Sequence, residues 1–147
     1  MRIRREVAWL YLAVGMGSAL GAVCRLSVGM MVAGLVASPF PWATLLVNVL
    51  GSWLIARFAT HAGLSGSRRL ARLHPWAVAG FCGGFTTFSL FSLEVAELVI
   101  AGRPGLALAY LTVSVPLWLG AAWAGDARAR SVLARRTAAV GAKRGED

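Results

Sequence analysis

Residues 80–94 read GFCGGFTTFSLFSLE, inside an apolar segment from about Trp76 to Ala101 that is long enough to cross a bilayer. Gly80, Gly83 and Gly84 arrive within a few positions, and Thr86 and Thr87 follow at once. Strong helix formers are therefore missing where a regular span would want them, and the spacing predicts a broken helix. In hydrocarbon a break leaves amide and carbonyl groups unpaired, which is tolerated only where they are buried in protein or line a wet path. The break thus marks a candidate site. The same glycines also suit a small-residue surface on which membrane helices approach closely, with the phenylalanines as apolar filling. Beyond the break, Phe88 and Phe91 are three apart and share a face if helix resumes. Thr87, Ser89 and Ser92 lie around them, and Glu94 ends the stretch.

Three further apolar segments surround this one, so the expected architecture is an all-α membrane protein with four transmembrane helices, the third broken. The spans fall at about 7–36, 42–59, 76–101 and 106–124, making residues 1–125 a transmembrane domain and 126–147 a basic C-terminal tail, short and helical or disordered at the membrane surface. The first span carries a Gly17/Gly21 pair at helix-packing spacing, then Arg25. A cation at that depth either snorkels to the headgroups or stands at the mouth of an anion path. Ser38-Pro39-Phe40-Pro41 ends that helix, because the prolines remove donors and push their predecessors out of the α region.

In the second span, Asn48 is the strongly polar residue of the apolar interior. Its amide either bonds a neighbouring helix or donates to an anion, offering two N–H groups without a cation's trapping charge. Arg57, His61, Arg68, Arg69, Arg72 and His74 then surround a Gly/Ser-containing basic loop ending at Pro75. Two isolated histidines without a Cys or carboxylate cluster are no metal site. In the fourth span Tyr110 and Ser114 are four apart and share a face, which permits a line of hydroxyl donors. Tyr110 also suits an interfacial aromatic anchor. Glu97, at the end of the third span, reaches the interface, whereas Glu94 lies nearer the polar track.

Composition agrees with a membrane protein: of 147 residues, 58% are hydrophobic and 14% charged, with a mean hydropathy of +0.68. The net charge of +9 does not point to nucleic acid, since most arginines lie in the tails and one loop beside apolar spans. They read as topology signals and contacts to anionic headgroups. Cys24 and Cys82 fall within apolar runs and are expected to be free thiols. The run from Val7 to Val36 exceeds a signal-peptide core and is expected to remain as a helix. With no Walker loop, metal-ligand cluster or Ser/His/Asp set, an enzyme is not indicated.

The segment GGFTTFSLFSLE resembles the third-helix signature of the Fluc/CrcB family of fluoride channels, Gly-Gly-x-Thr-Thr-Phe-Ser-x-Phe followed shortly by Glu. The resemblance extends to Gly-x-x-x-Arg (Gly21 to Arg25), Asn-x-x-Gly (Asn48 to Gly51) and Tyr-x-x-x-Ser (Tyr110 to Ser114). It departs at Trp118, one turn past Ser114, where relatives often continue the polar track. The resemblance implies an antiparallel dimer with two fluoride pores and one structural sodium ion in the cell membrane. Backbone carbonyls of Gly83 and Thr86 from both subunits would hold the sodium. Phe88 and Phe91 would line the pores and meet fluoride with their ring edges, which are electropositive. Asn48, Thr87, Ser89, Tyr110 and Ser114 would donate hydrogen bonds, Glu94 would sit near one pore end, and Arg25 at the mouth. Fluoride that enters as HF and dissociates inside would leave passively through such a pore. The main alternative, a small multidrug-type proton-coupled exchanger, wants a carboxylate in the first span, where this chain has Arg25.

Charge distribution bears on orientation. Four spans put both termini on one side, together with the loop between the second and third spans. Arg2, Arg4 and Arg5, then Arg57, Arg68, Arg69 and Arg72, then Arg128, Arg130, Arg135, Arg136, Lys143 and Arg144 share that side, against Arg103 on the other. The positive-inside rule puts both termini in the cytoplasm. A homodimer of dual topology wants balanced loops, so this bias favours pairing with a related subunit of opposite orientation over pairing with itself.

Overall fold

The computed structural model describes residues 2–144. Helix α1 (Arg2–Leu35) ends before the Ser-Pro-Phe-Pro connection, and Pro41 precedes α2 (Trp42–Leu64). A third helical run consists of α3 (Arg68–His74), a π-helical segment (Pro75–Cys82) and α4 (Gly83–Phe85). After Thr86 and Thr87 the chain re-enters helix as α5 (Phe88–Ile100), and α6 (Pro104–Arg144) completes it. Four helical runs are long and apolar enough to cross a membrane: Glu6–Leu35, Trp42–Leu64, Arg68–Ile100 and Pro104–Arg136. Among the described residues there is no strand.

The turns follow local chemistry. Gly66 and Gly102 take positive φ values of 62° and 72°, a region other residues avoid. Gly102 closes α5 with paired bonds, Arg103 N to Leu98 O and Gly102 N to Val99 O, after which Pro104 opens α6. The basic loop is shorter than its composition suggests. Helix α2 continues to Leu64, Ser67 caps α3 by accepting from Leu70 N, and Pro75 follows α3 directly, its missing N–H interrupting the α ladder where the winding becomes π-helical.

The expected break is displaced from the glycines. Gly83 is helical (φ −62°, ψ −37°), whereas Thr86 (φ −84°, ψ 160°) and Thr87 (φ −153°, ψ 123°) are extended. Gly80 and Gly84 instead allow backbone contact with α1. A Cβ on Gly84 would collide with Ser18 O, one on Gly21 with Phe81 O, and one on Gly17 with Trp76 O. Ser18 Oγ also donates to Gly80 O at 3.3 Å. The packing-surface reading holds for these two glycines of the third run.

Of the two forms expected for the C-terminal tail, the helical one is found, because α6 continues without interruption through Asp126 to Arg144. Tertiary contacts hold the extension against α2: Gly125 lies so close that a Cβ would meet Trp53 O, and Thr60 Oγ1 donates to Asp126 Oδ1 at 2.6 Å. The last three residues of the expected tail, 145–147, lie outside the described residues. The core gathers Leu45, Phe91, Leu98, Ala107 and Tyr110, with Phe40, Val95 and Trp118 packed around them. Leu12, Val23, Leu108 and Leu119 face outward, as lipid-facing side chains do. Cys24 and Cys82 are free, as expected.

Candidate functional site

Helix α2 sets the backbone where the third run leaves helix. Asn48, buried at 5% exposure, donates from Nδ2 to Thr87 O at 2.9 Å, and Thr87 N donates to Asn48 Oδ1 at 2.8 Å. One turn along, Gly51 leaves room for Thr86, whose Cγ2 occupies the place a Cβ would take. The two residues of Asn-x-x-Gly therefore hold consecutive threonines, one by hydrogen bonding and one by absence of bulk. Thr86 N and Oγ1 both donate to Cys82 O at 2.9 Å, ending the preceding helix. Thr87 Oγ1 accepts from Leu90 N at 3.1 Å and caps the next one. Asn48 thus bonds backbone across the break, and its second Nδ2 proton has no acceptor among the described residues.

From the break an aromatic chain leads to Glu94. Phe88 and Phe91 share a face, with ring centroids 5.7 Å apart. Phe91 is 2% exposed and lies 4.8 Å from both Tyr110 and Trp118, meeting Trp118 edge-on. Tyr110 OH donates to Glu94 Oε2 at 2.8 Å, while Thr44 Oγ1 donates to Glu94 Oε1 at 2.7 Å. Tyr110 is fully buried, so the interfacial-anchor reading is corrected: its hydroxyl serves an internal carboxylate, not the headgroups. Glu94 in turn has each oxygen met by a hydroxyl.

Beside these two polar clusters lie two donors left unmatched among the described residues. Ser114 Oγ and Trp118 Nε1 are buried without a hydrogen-bond partner among the described residues. Thr112, on another face of α6, bonds back to Leu108 O and Ala109 O, as a membrane-helix hydroxyl ordinarily does. Ser114 forgoes that bond. Trp118 also borders a cleft of about 170 Å³ shared with Asn48, Ser52, Thr86, Thr87 and exposed Phe88. Tyr110, Ser114 and Trp118 recur every four residues on α6, as Thr44, Asn48 and Ser52 do on α2; Tyr110 and Thr44 meet at Glu94, and Trp118 borders the cleft with Asn48 and Ser52. Two polar stripes at helical period thus run along the two helices, and Phe91 packs against Tyr110 and Trp118 of the second.

Other expected residues stand elsewhere. Ser89 is exposed and shares a 3.4 Å contact with Thr87 Oγ1. Arg25 borders a separate cleft with Leu26 and Leu90, which none of the other candidates lines. The Gly83 and Thr86 carbonyls suit a hard cation. Thr87 N, the donor Gly83 O would receive in a helix, goes to Asn48, and Leu90 N, the donor for Thr86 O, goes to Thr87 Oγ1. Neither carbonyl meets a hydrogen bond among the described residues. Gly83 is exposed.

Thr44, Ser52 and Trp118 join the site although the motifs do not include them. Their signal is the four-residue period shared with Asn48 and Ser114.

The family model described as CrcB-like protein, Camphor Resistance (CrcB), matches residues 12–126. The chain is 44% identical over 124 residues to the fluoride-specific ion channel FluC 1 of Rhodopseudomonas palustris, covering 82% of this chain and 86% of that protein. It is 46% identical over 123 residues to FluC of Deinococcus radiodurans (80% and 90% covered), and 42% identical over 118 residues to FluC of Thermus thermophilus (78% and 90% covered). The matched region runs through all four spans and both polar stripes, and the chain belongs to the CrcB family.

Proposed function

We propose that this chain is a subunit of a fluoride-selective channel that passes the ion passively out of the cell and lowers cytoplasmic fluoride. The observation that carries the reading is the pair of unsatisfied donors, Ser114 Oγ and Trp118 Nε1, beside Phe91 and next to the Asn48 cleft. A buried donor without an acceptor costs about 1–3 kcal/mol. A small anion supplies the acceptor, and the donors replace its lost hydration. Because they are neutral, they bind without the trapping a fixed cation would cause, which conduction requires. Phe88 and Phe91 offer ring edges of the right polarity. The names of the relatives in R. palustris, D. radiodurans and T. thermophilus support fluoride as the ion.

The working unit in this reading is an antiparallel dimer with a structural sodium ion. Gly83 and Thr86 carbonyls of both subunits would hold it, and the ion would supply positive charge to fix the break. The charge bias puts both termini in the cytoplasm and favours a related partner of opposite orientation. Fluoride-electrode efflux from liposomes tests the channel reading. Fluoride passes and chloride is nearly excluded, and Phe88→Ile lowers the flux; equal rates for the two anions, or flux that requires a proton gradient, overturn it. Reporter fusions at the C-terminus test the orientation, with substantial populations on both sides of the membrane contradicting it.

A further inference from the structure

The extension of α6 beyond its apolar segment creates a second concave surface, at the end of the bundle that carries both termini. Gly125 seats α6 against Trp53 O, Thr60 holds Asp126, and Ala129 is buried at 2% exposure, so α6 stays docked on α2 past the point where its sequence turns basic. Where the two helices separate lies a cleft of about 280 Å³. Its walls include Leu54 and Phe58 from α2 and Val132 from α6, and it is edged by Arg57, His61 and Arg136. Arg57 stands 5.1 Å from the Trp53 ring centroid, which restrains the guanidinium beside the opening.

Acid is absent from the lining, and the carboxylate on the neighbouring turn is engaged. Asp126 accepts from Thr60 and, at 2.8 Å, from Arg130 Nε. The cations at the cleft therefore lack an internal counter-ion among its lining residues. The cleft also spans a boundary. Leu54 belongs to the apolar run of α2, Arg57 ends it, and tryptophans such as Trp53 and exposed Trp123 are of the type enriched at the headgroup level. An apolar wall edged by two arginines and an imidazole matches one ligand chemistry: a phosphate diester carrying acyl chains.

We infer that this cleft binds the headgroup phosphate of an anionic phospholipid, with Arg57 and Arg136 pairing the phosphate and Leu54, Phe58 and Val132 contacting the glycerol and upper acyl chains. The site is separate from the ion pathway, and its failure would leave the channel reading untouched. Inorganic phosphate offers the same charge without the chains, so the test separates the two.

The test uses the full chain reconstituted in phosphatidylcholine alone or mixed with phosphatidylglycerol, then solubilised and weighed by native mass spectrometry. Wild type retains phosphatidylglycerol in preference to phosphatidylcholine. R57Q/R136Q weakens retention about 25-fold, roughly fivefold for each arginine removed at the surface. R68Q/R69Q removes equal charge outside the cleft and retains the lipid. Val132→Trp fills the cleft with both arginines present and loses it, which keeps the test decisive should R57Q/R136Q fold poorly. Equal losses in the two arginine pairs would mean diffuse attraction and overturn the site. So would retention of phosphatidylcholine equal to that of phosphatidylglycerol. Thermal stabilisation in phosphatidylcholine vesicles by inorganic phosphate, matching that from phosphatidylglycerol, would assign the cleft to a soluble anion and overturn the lipid.

Discussion

Asn48 and Thr87 exchange two hydrogen bonds, side-chain amide to carbonyl at 2.9 Å and backbone amide to side-chain oxygen at 2.8 Å, and this exchange sets where the third helical run is interrupted. A primary amide matches a peptide group because it presents one donor and one acceptor side by side. The peptide units freed by leaving helix are thereby partly satisfied without water.

Asn48→Ala removes both bonds and leaves a buried amide and carbonyl unpaired. The expected loss is about 2–4 kcal/mol of stability, from two such groups at roughly 1–2 kcal/mol each. Asn48→Asp keeps an acceptor for Thr87 N but cannot donate to Thr87 O, and it places negative charge beside the proposed anion path. It should fold better than Asn48→Ala yet conduct fluoride worse than wild type. Thermal unfolding in detergent, alongside liposome efflux, reads both; wild-type stability in Asn48→Ala would show that these two bonds do not hold the break.

Trp118→Phe and Ser114→Ala separate stability from function. Each deletes a buried donor that has no partner among the described residues while keeping most of the side-chain volume. Stability should hold or rise by about 1 kcal/mol, since an unsatisfied group is removed. Flux should fall, because a hydrogen bond to a charged species is worth about 1.5–3 kcal/mol, or roughly tenfold or more in site occupancy. Unchanged flux in both variants would mean that the anion does not use these donors.

Tyr110→Phe should show the opposite pattern. Its hydroxyl donates to Glu94, which then depends on Thr44 alone, so destabilisation of about 1–3 kcal/mol is expected. Combined with Thr44→Ala, the loss should be less than additive if both hydroxyls serve the same carboxylate. Strict additivity in a double-mutant cycle on unfolding would show that the two hydroxyls act independently.

The four spans were readable from the sequence because hydrocarbon demands long apolar helices whatever their partners. The exact place of the break was not. Glycine is both permissive and small, and composition does not reveal which property is used; Gly80 and Gly84 use smallness, against Ser18 and its neighbours. Thr86 and Thr87 leave helix because of residues on α2, distant in sequence. The docking of the α6 extension on α2 was obscured similarly: an Ala/Arg-rich segment reads as a helical or disordered tail at the membrane surface until Thr60 is found bonded to Asp126. Of the site, the motifs indicated Asn48, Phe91 and Ser114. The pairing of Tyr110 with Glu94 required the tertiary structure, whereas Thr44 and Ser52 were legible as the four-residue period through Asn48.

Gly83 and Gly84 provide the sharpest test of assembly. They are adjacent and both helical, but a Cβ on Gly84 collides with Ser18 O of α1, while one on Gly83 meets nothing nearer than Val78 O at 3.9 Å. Gly84→Ala should therefore destabilise the chain itself by about 1–3 kcal/mol through overpacking against backbone. Gly83→Ala should leave the isolated fold intact, and even gain up to about 1 kcal/mol of helix propensity. A bulkier Gly83→Leu also fits the single chain, yet it crowds the exposed face where the uncommitted Gly83 and Thr86 carbonyls would meet a second subunit and sodium. Circular dichroism should then report a wild-type helix content for Gly83→Leu, whereas light scattering should report loss of the dimer and efflux should report loss of flux. On the proposed reading, replacing sodium with a large organic cation during purification should loosen the dimer in the same way. A Gly83→Leu dimer as stable as wild type, with or without sodium, would place the second subunit on another face of the molecule.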